Sequence, residues 1–172
     1  MRRYCITDSL EVVRRALDLD AVMTQIRAKE LSGRALYRLV EQAVAIAGKR
    51  IIVNTRADIA VACGAGGVHL PSNSPIAVFR SRFGKPFLIG SSCHTISDLQ
   101  QAERESADFA VFGPVFASPG KGEPVGLAAL RQAVESVHMP VYALGGITSE
   151  NEELCVEAGA YGIAGIRFFL HG

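Results

Sequence analysis

No apolar run in this chain approaches the ~18 residues that a membrane span requires, and no block of like charge interrupts it, the net charge being +1. The first absence argues against a membrane protein. The second removes the clustered basic surface that nucleic-acid binding usually needs. The start, Met1-Arg2-Arg3-Tyr4-Cys5-Ile6-Thr7-Asp8, has two arginines but no long apolar stretch behind them, so it does not read as a signal peptide. Tryptophan is absent, and none of the four cysteines (Cys5, Cys63, Cys93, Cys155) forms a Cys-x-x-Cys pair. They read as reduced, mostly buried thiols of a cytoplasmic protein. Cys5 and Cys93 fall near expected strand ends, where a thiol faces either the core or a pocket.

What is present is apolar sequence punctuated by glycine. Hydrophobic residues make up 49% of the chain, too many for disorder, and the 17 glycines suggest many tight turns. At 172 residues the chain predicts one domain, spanning 1–172, with one hydrophobic core.

Strand and helix signals alternate from end to end. Strands are expected at 3–7, 21–27, 49–54, 67–70, 86–90, 108–113, 140–144 and 162–166. Helices are expected between them, including one after the Ser32 cap that stops at Gly48 and one capped by Thr95. Eight strands, with a helix after each of the first seven, predict parallel pairing by right-handed crossovers and an α/β fold, a compact (β/α)₈ TIM barrel. The units are short for this fold, and little chain follows the eighth strand, so the final helix is expected to be short or missing. A flank left open in this way suits a partner subunit, and a homodimer is expected.

In such a barrel the loops after the strands build the site. Gln25, Arg27 and Lys29 follow the second strand, bringing an amide and cations to the mouth or simply solvated charge. Asn54 ends the third strand, where it either bonds a substrate edge or caps the next helix. His69 lies in the fourth strand, with no role assigned. His94 precedes a helix start, whose dipole favours the neutral imidazole that acid–base work near pH 7 requires. The longest loop, 114–126, reads as a lid, with Lys121 between two glycines able to reach a phosphate. Gly145 and Gly146 after the seventh strand, with Ile166 and Arg167 after the eighth, occupy the usual phosphate position of these barrels. There, missing Cβ atoms let an anion approach backbone N–H groups.

The segments Tyr4-Cys5-Ile6-Thr7-Asp8, Gln25-Ile26-Arg27-Ala28-Lys29, Val53-Asn54, Gly66-Gly67-Val68-His69-Leu70, Ile89–Thr95, Phe112–Phe116, Leu144–Ile147 and Ala158–Ala164 together resemble the thiamin phosphate synthase/TenI superfamily along nearly the whole chain. The resemblance implies a (β/α)₈ barrel and one of two activities. The synthase joins a pyrimidine diphosphate to a thiazole phosphate with loss of diphosphate, using Mg²⁺ held by two aspartates. The matching positions here are Thr55 and Asn73, which supply no carboxylate. The other branch, thiazole tautomerase, aromatises a thiazole carboxylate phosphate by moving a proton, without a metal.

Lacking both aspartates, the chain is expected to be a TenI-like tautomerase, an isomerase of thiamin biosynthesis needing no cofactor. In that reading His94 is the acid–base group. Gly145, Gly146, Ile166 and Arg167 hold the phosphate, Gln25, Arg27 and Asn54 position the ring and carboxylate, and Lys29 and Lys121 add charge. The alternatives are a thiamin phosphate synthase with an atypical Mg²⁺ site, which would be a transferase, and a non-catalytic relative that binds thiazole or thiamin phosphates. The role of Arg167 is open, because the family usually has a small residue there, and a guanidinium either fills the phosphate site or strengthens it.

Overall fold

The computed structural model describes residues 1–120 and 122–170. Its elements alternate as expected: β1 (Arg3–Thr7), α1 (Leu10–Asp18), β2 (Met23–Ile26), α2 (Gly33–Ala47), β3 (Ile51–Asn54), α3 (Ala57–Ala62), β4 (Gly67–Leu70), α4 (Ile76–Phe83), β5 (Leu88–Cys93), α5 (Ile96–Arg104), β6 (Phe109–Phe112), α6 (Gly126–Glu135), β7 (Val141–Leu144), α7 (Glu152–Glu157) and β8 (Gly162–Gly165). Every strand pairs in parallel with its sequence neighbours, and β8 returns to β1, closing the barrel.

Local chemistry explains the elements. In α2, Leu36, Val40 and Ala43 share one buried face at helical spacing, and the Ser32 hydroxyl accepts the Ala35 N–H. In α5, Thr95 and Asp98 form a reciprocal capping box. Alternate strand residues point inward, so Tyr4, Ile52, Phe109 and Tyr142 fill the barrel interior. Tyr4 meets the Phe109 ring edge-on at 5.4 Å. The opposite strand faces pack on the helices through residues such as Val68, Ile89 and Leu99.

Most boundaries shift by one or two residues, and two shift by three. β5 runs on to Cys93, three residues past the expected end at Gly90, because Ser92 and Cys93 pair with Val111 and Phe112 of β6. α7 begins at Glu152 where the sequence pattern predicts Ser149, since the Asn151 amide group folds the preceding residues into a turn, its Oδ1 accepting the Thr148 N–H and its Nδ2 donating to the Gly146 carbonyl.

After β8 the chain makes a single 3₁₀ turn, Arg167–Phe169, where an eighth helix would pack. Phe169 is fully buried there among Cys5, Val12, Ala16 and Ala21. Beside it the Arg3 guanidinium lies over the Phe168 ring and donates to the Glu152 carboxylate at 3.1 Å. Phe169 thus covers part of that flank.

Candidate functional site

A cavity of about 660 Å³ opens at the C-terminal ends of the strands. Its walls mix apolar strand residues (Ile6, Val111, Leu144, Ala164) with polar ones from seven strands or the loops after them. Gln25, Arg27, Asn54, His94, Gly145, Gly146, Ile166 and Arg167 all line it, as the sequence reading placed them. Lys29 does not. β2 ends at Ile26 and the chain turns away, leaving Lys29 exposed beyond the mouth. Lys121 lies outside the described residues. Asn54 does not cap α3, whose start has no side-chain cap, so its amide is left to the cavity.

Among the described lining residues, arginines 27 and 167 carry charge and none is Asp or Glu. The cavity is therefore net positive and accepts anions. His94 donates from Nδ1 to the Gly113 carbonyl at 2.9 Å, because a carbonyl can only accept. Its Nε2 is thereby the unprotonated nitrogen of the neutral ring.

The Gly145–Gly146 pair also has a packing reason, independent of any anion. Both have positive φ, +100° and +65°. A Cβ on Gly145 would sit 2.6 Å from Pro114 Cβ, and one on Gly146 2.7 Å from Phe116 Cβ. These glycines let the loop after β6 lie on the loop after β7, an arrangement secured by Val115 N–H to Leu144 O (2.8 Å) and Phe116 N–H to Gly145 O (3.0 Å). The base of the long loop is also pinned, by Val125 N–H to Pro114 O at 2.8 Å. The two ends of the segment are thus held together.

His69, Tyr4 and Ser92 are not among the site residues expected from the sequence. His69 is buried beneath the cavity, its Nε2 3.0 Å from Ser92 Oγ and its Nδ1 3.3 Å from the Tyr4 hydroxyl, which takes a hydrogen bond from Gln25 Nε2 at 2.9 Å. Burial, reinforced by the charge of Arg27, pushes the His69 pKa down to about 3. The inward period-2 positions of β1, β4 and β5 were the available signal.

The residues present do not fit a protein-held Mg²⁺. Thr55 and Asn73 bring no carboxylate, none lines the cavity, and no cluster of three His, Cys, Asp or Glu side chains able to hold a metal occurs among the described residues. Both positions keep a left-handed backbone, φ +60° and +61°. Asn and Asp adopt this conformation readily; β-branched Thr does so only under strain. Thr55→Asn should therefore raise the unfolding free energy by about 0.5–1 kcal/mol. Chemical denaturation would check this, and no gain would mean that the loop relieves the strain elsewhere.

Fold and cavity together define a (β/α)₈ barrel with an anion-accepting site at its mouth. The family model described as "Thiamine monophosphate synthase" matches residues 2–169, and the chain belongs to that family. It is 41% identical to the "Putative thiamine-phosphate synthase 2" of Aquifex aeolicus, over 98% of this chain and 97% of that protein. It is 41% identical to the "Thiamine-phosphate synthase" of Chlorobium luteolum, over 92% of this chain and 78% of that one. The solved "Thiamine phosphate pyrophosphorylase from Pyrococcus furiosus" superposes with a TM-score of 0.87 at 33% identity, covering 96% of this chain and 85% of that one. These relatives overturn the tautomerase expectation: the names they carry are those of the synthase, the transferase alternative. The two missing aspartates are outweighed by the match along the rest of the chain.

Proposed function

We propose that this chain is a thiamine-phosphate synthase, a transferase joining a pyrimidine diphosphate to a thiazole phosphate. The observation that carries this reading is the net-positive cavity at the mouth of a barrel whose sequence matches synthases along nearly its full length. Departure of diphosphate concentrates negative charge on the leaving oxygens. Guanidinium groups already in place stabilise such charge without reorganising. Arg27 and Arg167 supply them here, and the Gly145–Gly146 and Ile166–Arg167 backbone offers N–H groups to the second phosphate. Gln25 and Asn54 orient the rings, and the free Nε2 of His94 accepts a hydrogen bond or a proton at the rim.

The test is thiamine phosphate formation from hydroxymethylpyrimidine diphosphate and thiazole phosphate, with and without added Mg²⁺. Product is expected, and Arg27→Ala should lower kcat/KM by about 10²-fold or more. Absence of product under both conditions would sink the proposal.

A further inference from the structure

The positive charge of the cavity stands without a countercharge. Arg27 follows β2, its backbone N–H held by the Thr7 carbonyl at 2.8 Å, and Arg167 opens the 3₁₀ turn after β8. Both line the cavity, and no Asp or Glu does so among the described residues. Elsewhere Arg3, Arg15, Arg56 and Arg80 each pair with a carboxylate. No ion pair among the described residues includes Arg27 or Arg167. The acids that follow β3 and β5 are already committed. Asp58 takes Arg56 Nε at 2.8 Å and Nη2 at 2.6 Å. Asp98 Oδ2 accepts the His94 and Thr95 N–H groups at 2.8 and 3.1 Å. The unmatched charge reaches the cavity floor, where burial, helped by the charge of Arg27, keeps His69 neutral. A guanidinium does not lose its proton in proteins, so this charge is permanent.

A diphosphate group drawn out of water needs positive charge around its oxygens. Either a divalent ion or fixed cations can provide it. Mg²⁺ binds through one or two carboxylates together with phosphate oxygens. This cavity offers it no carboxylate and two like charges, which repel it. Guanidinium groups instead present paired N–H donors that match phosphate oxygens. We infer that the site takes a diphosphate group without a divalent metal, and that Arg167, together with Arg27, supplies the positive charge in its place. Arg167 then strengthens the anion site rather than filling it. This deepens the proposed function and rests on it for placing the diphosphate in this cavity.

Inorganic diphosphate is the probe, titrated calorimetrically into the protein in EDTA and again in excess Mg²⁺. Binding is expected in EDTA. Excess Mg²⁺ should leave it unchanged or weaken it, because the ion competes with the guanidinium groups for the same oxygens. Arg167→Gln removes the charge and should weaken the metal-free binding roughly tenfold, and Arg167→Lys should recover most of it. Arg167 is exposed, so both variants should fold, which circular dichroism checks. No binding in EDTA, tightening by Mg²⁺ of about fivefold or more, or an unchanged affinity in Arg167→Gln would each overturn the inference.

The thiamine phosphate assay separates this inference from the transferase reading. Metal-free, Arg167-dependent diphosphate binding without product would uphold the inference and sink only the transferase. Product made only with Mg²⁺, alongside diphosphate binding that Mg²⁺ tightens, would overturn the inference and leave the transferase standing.

Discussion

Asp108→Ala should lower the unfolding free energy by about 3 kcal/mol, near the low end for breaking a buried ion pair. Asp108 begins the approach to β6 at the base of the barrel, and its side chain is only 10% exposed. Oδ2 pairs with the Arg80 guanidinium and also accepts the Ile89 N–H at 2.7 Å. Oδ1 takes Lys85 Nζ at 2.6 Å. Arg80 in turn donates to the carbonyls of Ser106, Gly84 and Phe87. One carboxylate and one guanidinium thus hold the end of α4 to the starts of β5 and β6. Removing the carboxylate strands a largely buried cation and a strand N–H together. Urea denaturation should show a lower midpoint with an unchanged slope. Lys85→Ala is the contrast: the lysine side chain is 69% exposed, and its loss should cost well under about 1 kcal/mol. Equal losses from the two variants would refute this account of the clamp.

Acidification should destabilise the fold through His69 well before most carboxylates titrate. In the unfolded chain this histidine takes up a proton below about 6.5, whereas in the fold it stays neutral down to about 3. Between those values the unfolded state binds more protons, so stability falls as pH falls. The slope is about 1.4 kcal/mol per pH unit for this one group. The stabilisation is fully present above pH 6.5. The interval from 6.5 to 5 is the informative one, because the carboxyl groups titrate lower. His69→Gln should be less stable at pH 7 yet show a flatter profile across that interval. A profile as steep as that of the unaltered protein would assign the acid sensitivity to another group.

The barrel was legible because its signals are local. Alternating apolar residues mark strands, Ser32 and Thr95 mark helix starts, and the order of elements admits few topologies. β5 was cut short because Ser91-Ser92-Cys93 lacks the branched residues of a typical strand. It extends because β6 pairs with Ser91, Ser92 and Cys93, and β4 with Ser91, which no local pattern displays.

The same limit applied to the site. Arg27, Asn54, His94 and Arg167 could be placed by counting from strand ends. Lys29 could not, since the turn after Ile26 decides where it points. The contacts of His69 lie 65 residues away at Tyr4 and 23 away at Ser92, so they exist only once the barrel closes. The glycine pair is legible from its place after the seventh strand, but the contact with the adjoining loop that forbids its Cβ atoms is not.

That last contact also bears on how such a protein could be altered. The loops after β6 and β7 share backbone hydrogen bonds, and neither glycine of one tolerates a side chain beneath the other. They are one exchangeable part. Grafting the long loop from a relative would require residues 113–117 and 144–147 to travel together, and a library that varied them independently would consist mostly of mismatched halves.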